Sequence, residues 1–319
     1  MDVRTRIGLG LALVLALIAL HCFSPGEKMF AERFECMGTI ASVTLYGRSE
    51  DAAEKGFQAV RGEFLRVIEL CDVRSPSSEL SKLNAHAAQA PFVCSDELWE
   101  IVSESRTAWR ASGGAFDVSV KPRMDLWGFY RRRGDAPPSA AEIAEAKQRV
   151  GLDKIQFDDG KKTVFFTRPG MALDFGGIAK GYAVDRAVAR LEALGFRRGL
   201  VDLGGNIRGL SGGEYRIGIV DPSDPEHLAD ASLTLRNSEA VASSGDYRRY
   251  VTLGGHRYGH IIDPASGVPT APDYAVTATA PTAFAADWLS TAAYLRGREF
   301  VPVAERGFGA KLVFVEKRR

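Results

Sequence analysis

Two hydrophobic periods alternate along the chain and divide it into strands and helices. Glu35 to Tyr46 alternates apolar and polar positions and is rich in β-branched residues, which predicts a first strand. Glu50 to Leu70 then places Phe57, Val60, Phe64, Leu65 and Ile68 at helical spacing. Shorter helical stretches follow at Glu79–Asn84, at Asp96–Ala111 behind the N-cap candidate Ser95, and at Ala140–Val150 before Gly151. Ile155–Phe157 and Thr163–Thr167 read as a hairpin around Asp158-Asp-Gly160. A helix is expected from Ile178 to Leu194, stopped by Gly195, and another from Pro281 to Leu295, with Gly297 past its end. Strands are expected at Gly199–Leu203, Tyr215–Val220, Ala231–Leu235, Glu239–Ser243, Arg248–Leu253, Tyr274–Ala280 and Lys311–Val315. Strands in runs with helices between them, and no long linker or repeat, predict an α+β class.

The N-terminus breaks this pattern. Arg4 and Arg6 precede an apolar core of 13 residues, Gly8 to Leu20, with no polar face. That length suits a signal peptide and is short for a membrane span. Residues 1–28 are therefore expected to be a signal peptide or N-terminal membrane anchor, and 29–319 a single domain. Export to the periplasmic side of the inner membrane follows. Cys22 stands where the lipidated cysteine of a lipoprotein stands, but His21 precedes it in place of a small residue. Lipoprotein, uncleaved anchor and cleaved signal all stay open.

Composition narrows the function. Of 319 residues 45% are hydrophobic and 25% charged, the balance of a folded globule. A net charge of +1 offers no bulk drive toward nucleic acid. Cys22, Cys36, Cys71 and Cys94 form no C-x-x-C or zinc spacing. Two of the last three can pair in an oxidising compartment; buried free thiols are the alternative. The 33 glycines point to tight turns and close approach of backbone to a ligand.

Four constellations can carry chemistry. Asp174-Phe-Gly-Gly-Ile-Ala-Lys-Gly181 couples a carboxylate, two glycines, a helix start and Lys180, which suits a phosphate; a glycine turn with a surface lysine is the plain reading. It is neither a P-loop nor a dinucleotide fingerprint. Asp287 and Thr291 lie i, i+4 on one helix, and a carboxylate with a hydroxyl suits a hard cation; a core helix with one buried acid is the alternative. His260 in Tyr258-Gly-His-Ile-Ile-Asp-Pro264 can act as a general base or simply hold a turn. Phe116 and Asp117, in Gly114-Ala-Phe-Asp-Val-Ser119, can stack on and bond an aromatic ligand or belong to the core.

Taken in order, eight motifs resemble those of the ApbE family of FAD:protein FMN transferases. They are Met37-Gly-Thr39, Ser78-Glu-Leu-Ser-Lys-Leu-Asn84, Gly114-Ala-Phe-Asp117, Leu173-Asp-Phe-Gly-Gly-Ile-Ala-Lys-Gly-Tyr182, Asp202-Leu-Gly-Gly-Asn206, Ser243-Ser-Gly-Asp-Tyr247, His260-Ile-Ile-Asp-Pro264 and Ala286-Asp-Trp-Leu-Ser-Thr291. The resemblance covers roughly residues 33–315. It implies an ApbE-type, T-fold-like domain of antiparallel sheets with packed helices that binds FAD and Mg2+. It implies transfer of FMN to a Thr or Ser hydroxyl of an acceptor flavoprotein, with release of AMP. Asp287, Thr291 and the carbonyl of Gly177 match metal-ligand positions. Met37, Ala115, Phe116, Asp117, Asp174, Lys180 and Ile261 match FAD-contact positions. His260 and Lys180 are the implied catalytic pair, base and phosphate-side cation. One departure is Arg74, where the family usually carries an aromatic residue; arginine can also stack on a ring. A FAD-binding or scavenging protein, and an Mg2+-dependent FAD pyrophosphatase, are the other readings of the same site.

Overall fold

The computed structural model describes residues 26–247 and 249–318. Gly8–Leu20 and Cys22, on which the export and lipidation expectations rest, lie outside the described residues. Chain order runs β1 (Lys28–Cys36), β2 (Thr39–Gly47), α1 (Glu50–Cys71), α2 (Glu79–His86), β3 (Phe92–Val93), α3 (Asp96–Ala111), α4 (Lys121–Leu126) and α5 (Ala140–Lys147). It continues β4 (Ile155–Asp158), β5 (Thr163–Phe166), α6 (Ala179–Ala193), β6 (Gly199–Leu203), β7 (Asn206–Gly209), β8 (Tyr215–Asp221), β9 (Asp224–Leu235) and β10 (Ala240–Ser244). It closes with β11 (Tyr250–Leu253), β12 (His256–Gly259), β13 (Tyr274–Ala280), α7 (Ala283–Arg296), α8 (Val301–Phe308) and β14 (Lys311–Glu316).

The main sheet has seven strands in the order β1-β2-β6-β7-β10-β13-β14, all paired antiparallel. Three smaller sheets join β3-β5-β4, β8-β9 and β11-β12. The class is α+β, as expected. Helices α1, α6 and α7 pack together and against the sheet. Ser49 starts α1 by accepting from the Ala52 N–H, and the helix buries Ala53, Phe57, Val60, Phe64, Val67 and Leu70 on one face. Among the described residues, no helix is long and apolar enough to cross a membrane.

Several expectations need correction. The single strand over Glu35–Tyr46 is a hairpin, β1-β2, turning at Met37-Gly38 with φ of 48° and 72°. Positive φ at both central residues is the type I′ geometry. Alternation runs straight through a two-residue turn, and methionine is no turn signal, so the pattern conceals it. β3, β7, β12, α4 and α8 lie outside the expected elements, and β9 begins at Asp224, well before Ala231. Helix α5 stops at Lys147 rather than Val150. Helix α7 starts at Ala283 because Thr282, extended at φ −132°, caps it through the Ala285 N–H. Cys36, Cys71 and Cys94 are free thiols, so no two of them pair.

A second, smaller core of Met124, Trp127, Leu253 and Ile262 joins α4 to the β11-β12 hairpin. Trp127 Nε1 donates to Gly267 O (2.9 Å). The fully buried Arg123 donates from one nitrogen to Asp263 O (3.1 Å) and Pro264 O (2.6 Å). These bonds hold the turn after His260 against a segment some 140 residues earlier.

Candidate active site

The site assembles where α6, α7 and the β6-β7 turn meet. Gly181 lets α6 approach α7 so closely that a Cβ there would lie 2.1 Å from Ala283 O. Asp185, further along α6, accepts from the N–H groups of Ala283 and Phe284 (2.9 Å each) and pairs with Arg208 of β7 (2.6 Å). Burial raises the Asp185 carboxyl above its usual range, against the opposing pull of Arg208. The first turn of α7 is thereby fixed against α6, and with it the two polar side chains α7 presents, Asp287 and Thr291.

Asp287 is 4% exposed. Its Oδ2 accepts from the Gly181 N–H (3.0 Å), and its Oδ1 faces Lys180 Nζ at 3.4 Å. Lys180 Nζ also lies 3.5 Å from Gly176 O. The buried Asn206 satisfies both partners when its Nδ2 donates to Asp287 Oδ1 (3.0 Å) and its Oδ1 accepts from Lys180 (3.1 Å). Thr291 Oγ1 donates to Asp287 O (3.3 Å) and shares a hydrogen bond with the Ser244 hydroxyl (3.1 Å). A Cβ on Gly177 would meet the Phe116 ring at 3.1 Å and Thr291 Oγ1 at 3.7 Å, so Gly177 stands beside both. Phe116 is buried and lies against Trp288, ring centroids 6.3 Å apart.

A chain of contacts continues from the glycine turn to His260. Asp174 Oδ1 accepts from the Gly176 N–H (2.8 Å) and Oδ2 from the Tyr130 hydroxyl (2.6 Å). Burial, and then the Asp174 charge, push the Tyr130 phenol well up, so it stays a donor. The Arg249 guanidinium lies 5.0 Å from the Tyr130 ring centre and donates to Phe129 O (3.1 Å). Arg249 O in turn accepts from the His260 backbone N–H (3.1 Å) and lies 3.2 Å from its Nδ1. A carbonyl only accepts, so Nδ1 carries a proton.

The other expected residues sit around this frame. Met37 tips the β1-β2 hairpin, whose Ile40 O accepts from Gly204 N–H (3.1 Å) in the turn that leads to Asn206. A φ of 48° on a long side chain is costly away from glycine or asparagine. Asp117 faces inward: Oδ1 accepts from the backbone and hydroxyl of Ser119 and Oδ2 from the Leu152 N–H. Burial raises its carboxyl despite these bonds. Ala115 is half-buried and donates to Ser112 O (3.4 Å). Ile261 is buried, its carbonyl accepting from Thr270 (2.9 Å). Arg74 is exposed and clasps Asp72 with two bonds of 3.0 and 3.2 Å.

Sequence reasoning did not assign Asn206, Asp185, Ser244, Tyr130 or Arg249. Asn206 and Ser244 belong to motifs already noted, and Asp185 falls on the inner face of an expected helix. Tyr130 stands in an irregular segment with no periodic signal, and Arg249 falls inside the expected strand Arg248–Leu253, just before β11 begins at Tyr250.

The donor set decides which metal fits. Among the described residues no three His, Cys, Asp or Glu side chains gather to hold an ion. Asp287, Thr291 and the Gly177 carbonyl are hard oxygen donors with one carboxylate among them. Such a set fits Mg2+, which keeps several waters and borrows phosphate oxygens, and does not fit zinc.

The ApbE family model matches residues 37–310. A Haemophilus influenzae FAD:protein FMN transferase is 30% identical over 309 residues, covering 93% of this chain and 89% of its own length. One from Klebsiella pneumoniae is 32% identical, covering 92% of this chain and 86% of its own. The crystal structure of an ApbE protein from Thermotoga maritima superposes with a TM-score of 0.83 at 30% identity, over 91% of this chain and 94% of that one. The flavin transferase ApbE from Vibrio cholerae gives 0.80 at 26%, over 92% and 94%.

Proposed function

The chain belongs to the ApbE family of transferases, and from that premise we propose that it is an Mg2+-dependent FAD:protein FMN transferase. It cleaves the FAD pyrophosphate, attaches FMN to a Thr or Ser hydroxyl of an acceptor flavoprotein and releases AMP. The observation that carries this reading is the buried Asp287 beside Lys180, Thr291 and the Gly176-Gly177 turn. Bound Mg2+ supplies charge neutralisation at the pyrophosphate oxygens.

The chain's own groups do the rest. Asp287, Thr291 and Gly177 O would hold the metal. The ammonium of Lys180 neutralises phosphate charge at the glycine turn. His260, oriented by Arg249 O, takes the proton of the acceptor hydroxyl at Nε2. Phe116 and Met37 bound the flavin side, and Asp174 is held for ligand contact by Tyr130.

We also propose that residues 1–28 direct export, so that transfer takes place on the periplasmic side, with membrane attachment through the N-terminus. Cell fractionation checks this; an intact N-terminus on protein in the soluble cytoplasm overturns it. Activity is tested by incubating the full chain with FAD, Mg2+ and a flavinylatable acceptor domain. Covalent flavin on the acceptor supports the transferase. Bound FAD without turnover favours a scavenger, and free FMN with AMP a pyrophosphatase. Asp287→Ala is expected to abolish Mg2+-dependent turnover, because one hydroxyl and one carbonyl cannot hold a small octahedral cation. Near-normal activity would remove Asp287 from the site.

A further inference from the structure

The environment of Asp287 contains a second cation besides any metal. A carboxylate 4% exposed needs a compensating positive charge, since an unpaired buried charge is strongly destabilising. Lys180 supplies it at 3.4 Å. Of the two carboxylate oxygens, Oδ2 is committed to the Gly181 N–H (3.0 Å). Oδ1 is the oxygen that already meets a cation, with Lys180 and the Asn206 amide both facing it. A divalent ion taking Oδ1 meets an ammonium in the same space, and the two repel.

The lysine has somewhere else to go. Its side chain is 26% exposed, so it borders solvent, and its second neighbour is the Gly176 carbonyl at 3.5 Å, on the glycine turn. Asn206 shapes the exchange. An amide adds no charge, so the pocket holds a net single negative charge that one ammonium neutralises.

We propose that Lys180 is the resident counter-cation of Asp287, that a metal ion binds by displacing it, and that displacement presents the ammonium to phosphate. This rests on the transferase reading above. Metal and FAD then bind with positive coupling: each site is completed by what the other releases. Neither half of the exchange makes or breaks a covalent bond.

The test is metal binding, not turnover. Mn2+ is titrated into the FAD-free full-length protein and followed by loss of the free-ion paramagnetic resonance signal. Lys180→Met is expected to bind Mn2+ more tightly than the parent, by roughly tenfold or more. Lys180→Arg keeps a charge beside Oδ1 and is expected to stay within a few-fold of the parent. Mn2+ is also expected to tighten FAD binding to the parent, and to do so less in Lys180→Met. If Lys180→Met binds Mn2+ no tighter than the parent while Asp287→Ala abolishes binding, the exchange is overturned and the metal site stands. If Asp287→Ala binds Mn2+ as the parent does, both the exchange and the metal assignment fall.

Discussion

Gly181 shows how much of this site depends on one missing atom group. A Cβ there would lie 2.1 Å from Ala283 O, 2.6 Å from the same carbonyl carbon and 2.9 Å from Asp287 Cβ. Two of these are backbone atoms of the first turn of α7 and cannot swing aside. Gly181→Ala must therefore push α6 and α7 apart, at a cost of about 1–3 kcal/mol or more. The same movement carries the Gly181 N–H away from Asp287 Oδ2. Gly62, exposed on α1, has nothing within 4 Å of its Cβ position. Gly62→Ala should be stabilising by about 0.5–1 kcal/mol, because it only lowers the entropy lost on helix formation. Urea midpoints of the two variants should move in opposite directions. A shared direction would mean that α6 and α7 have slack that their packing does not show.

Helix α7 behaves as a unit whose position is set at its first turn. Thr282 caps it from within its own sequence, and Asp185 of α6 binds two further N–H groups. Asp185→Ala leaves these groups and Arg208 without their carboxylate, a loss of about 1–3 kcal/mol. It also frees α7 to shift, so Mn2+ affinity should fall with the melting temperature. Unchanged metal affinity in a folded Asp185→Ala protein would confine Asp185 to stability. The elements themselves were largely legible. Ser95 and Gly113 bracket α3 at Asp96–Ala111, and β6 and β13 have their expected ends. Two causes account for the missed strands. Met37-Gly38 turns the chain without interrupting its alternation, and β7 and β12 are only four residues each. Within the site, the i, i+4 spacing of Asp287 and Thr291 places them on one face of a helix, whereas Lys180 is tied to them only by the family resemblance until the structure sets it 3.4 Å from Asp287. Tyr130 reaches Asp174 from a loop, where no period says which way a side chain points, and Arg249 meets His260 through its backbone carbonyl, one step beyond the Tyr250–Gly259 pair of the β11-β12 hairpin.

Across the whole molecule, the three described cysteines report on how tightly the domain closes. Burial pushes the Cys94 thiol from its ordinary 9.0 up to about 12 and raises Cys71 further. Both should resist a thiol reagent in native buffer and react only after denaturation; native labelling of either would mean that the core opens locally. The linkage has a definite sign. Below pH 9 the Cys94 thiol is protonated in both states and its contribution is complete. Between 9.0 and about 12 the unfolded chain ionises and the folded one does not, so stability drops by about 1.4 kcal/mol per pH unit. Cys94→Ala should flatten that alkaline limb in urea titrations, and an unchanged slope would place the loss elsewhere. The pairing of Lys180 with Asp287 also has a meaning in time. The two are 107 residues apart in the chain, and β14, an edge of the main sheet, is the last of the described strands in chain order. A growing chain exposes Lys180 long before its partner exists, and the sheet beneath it is still incomplete. The Lys180–Asp287 pair therefore forms only once α7 has been made and has docked on α6.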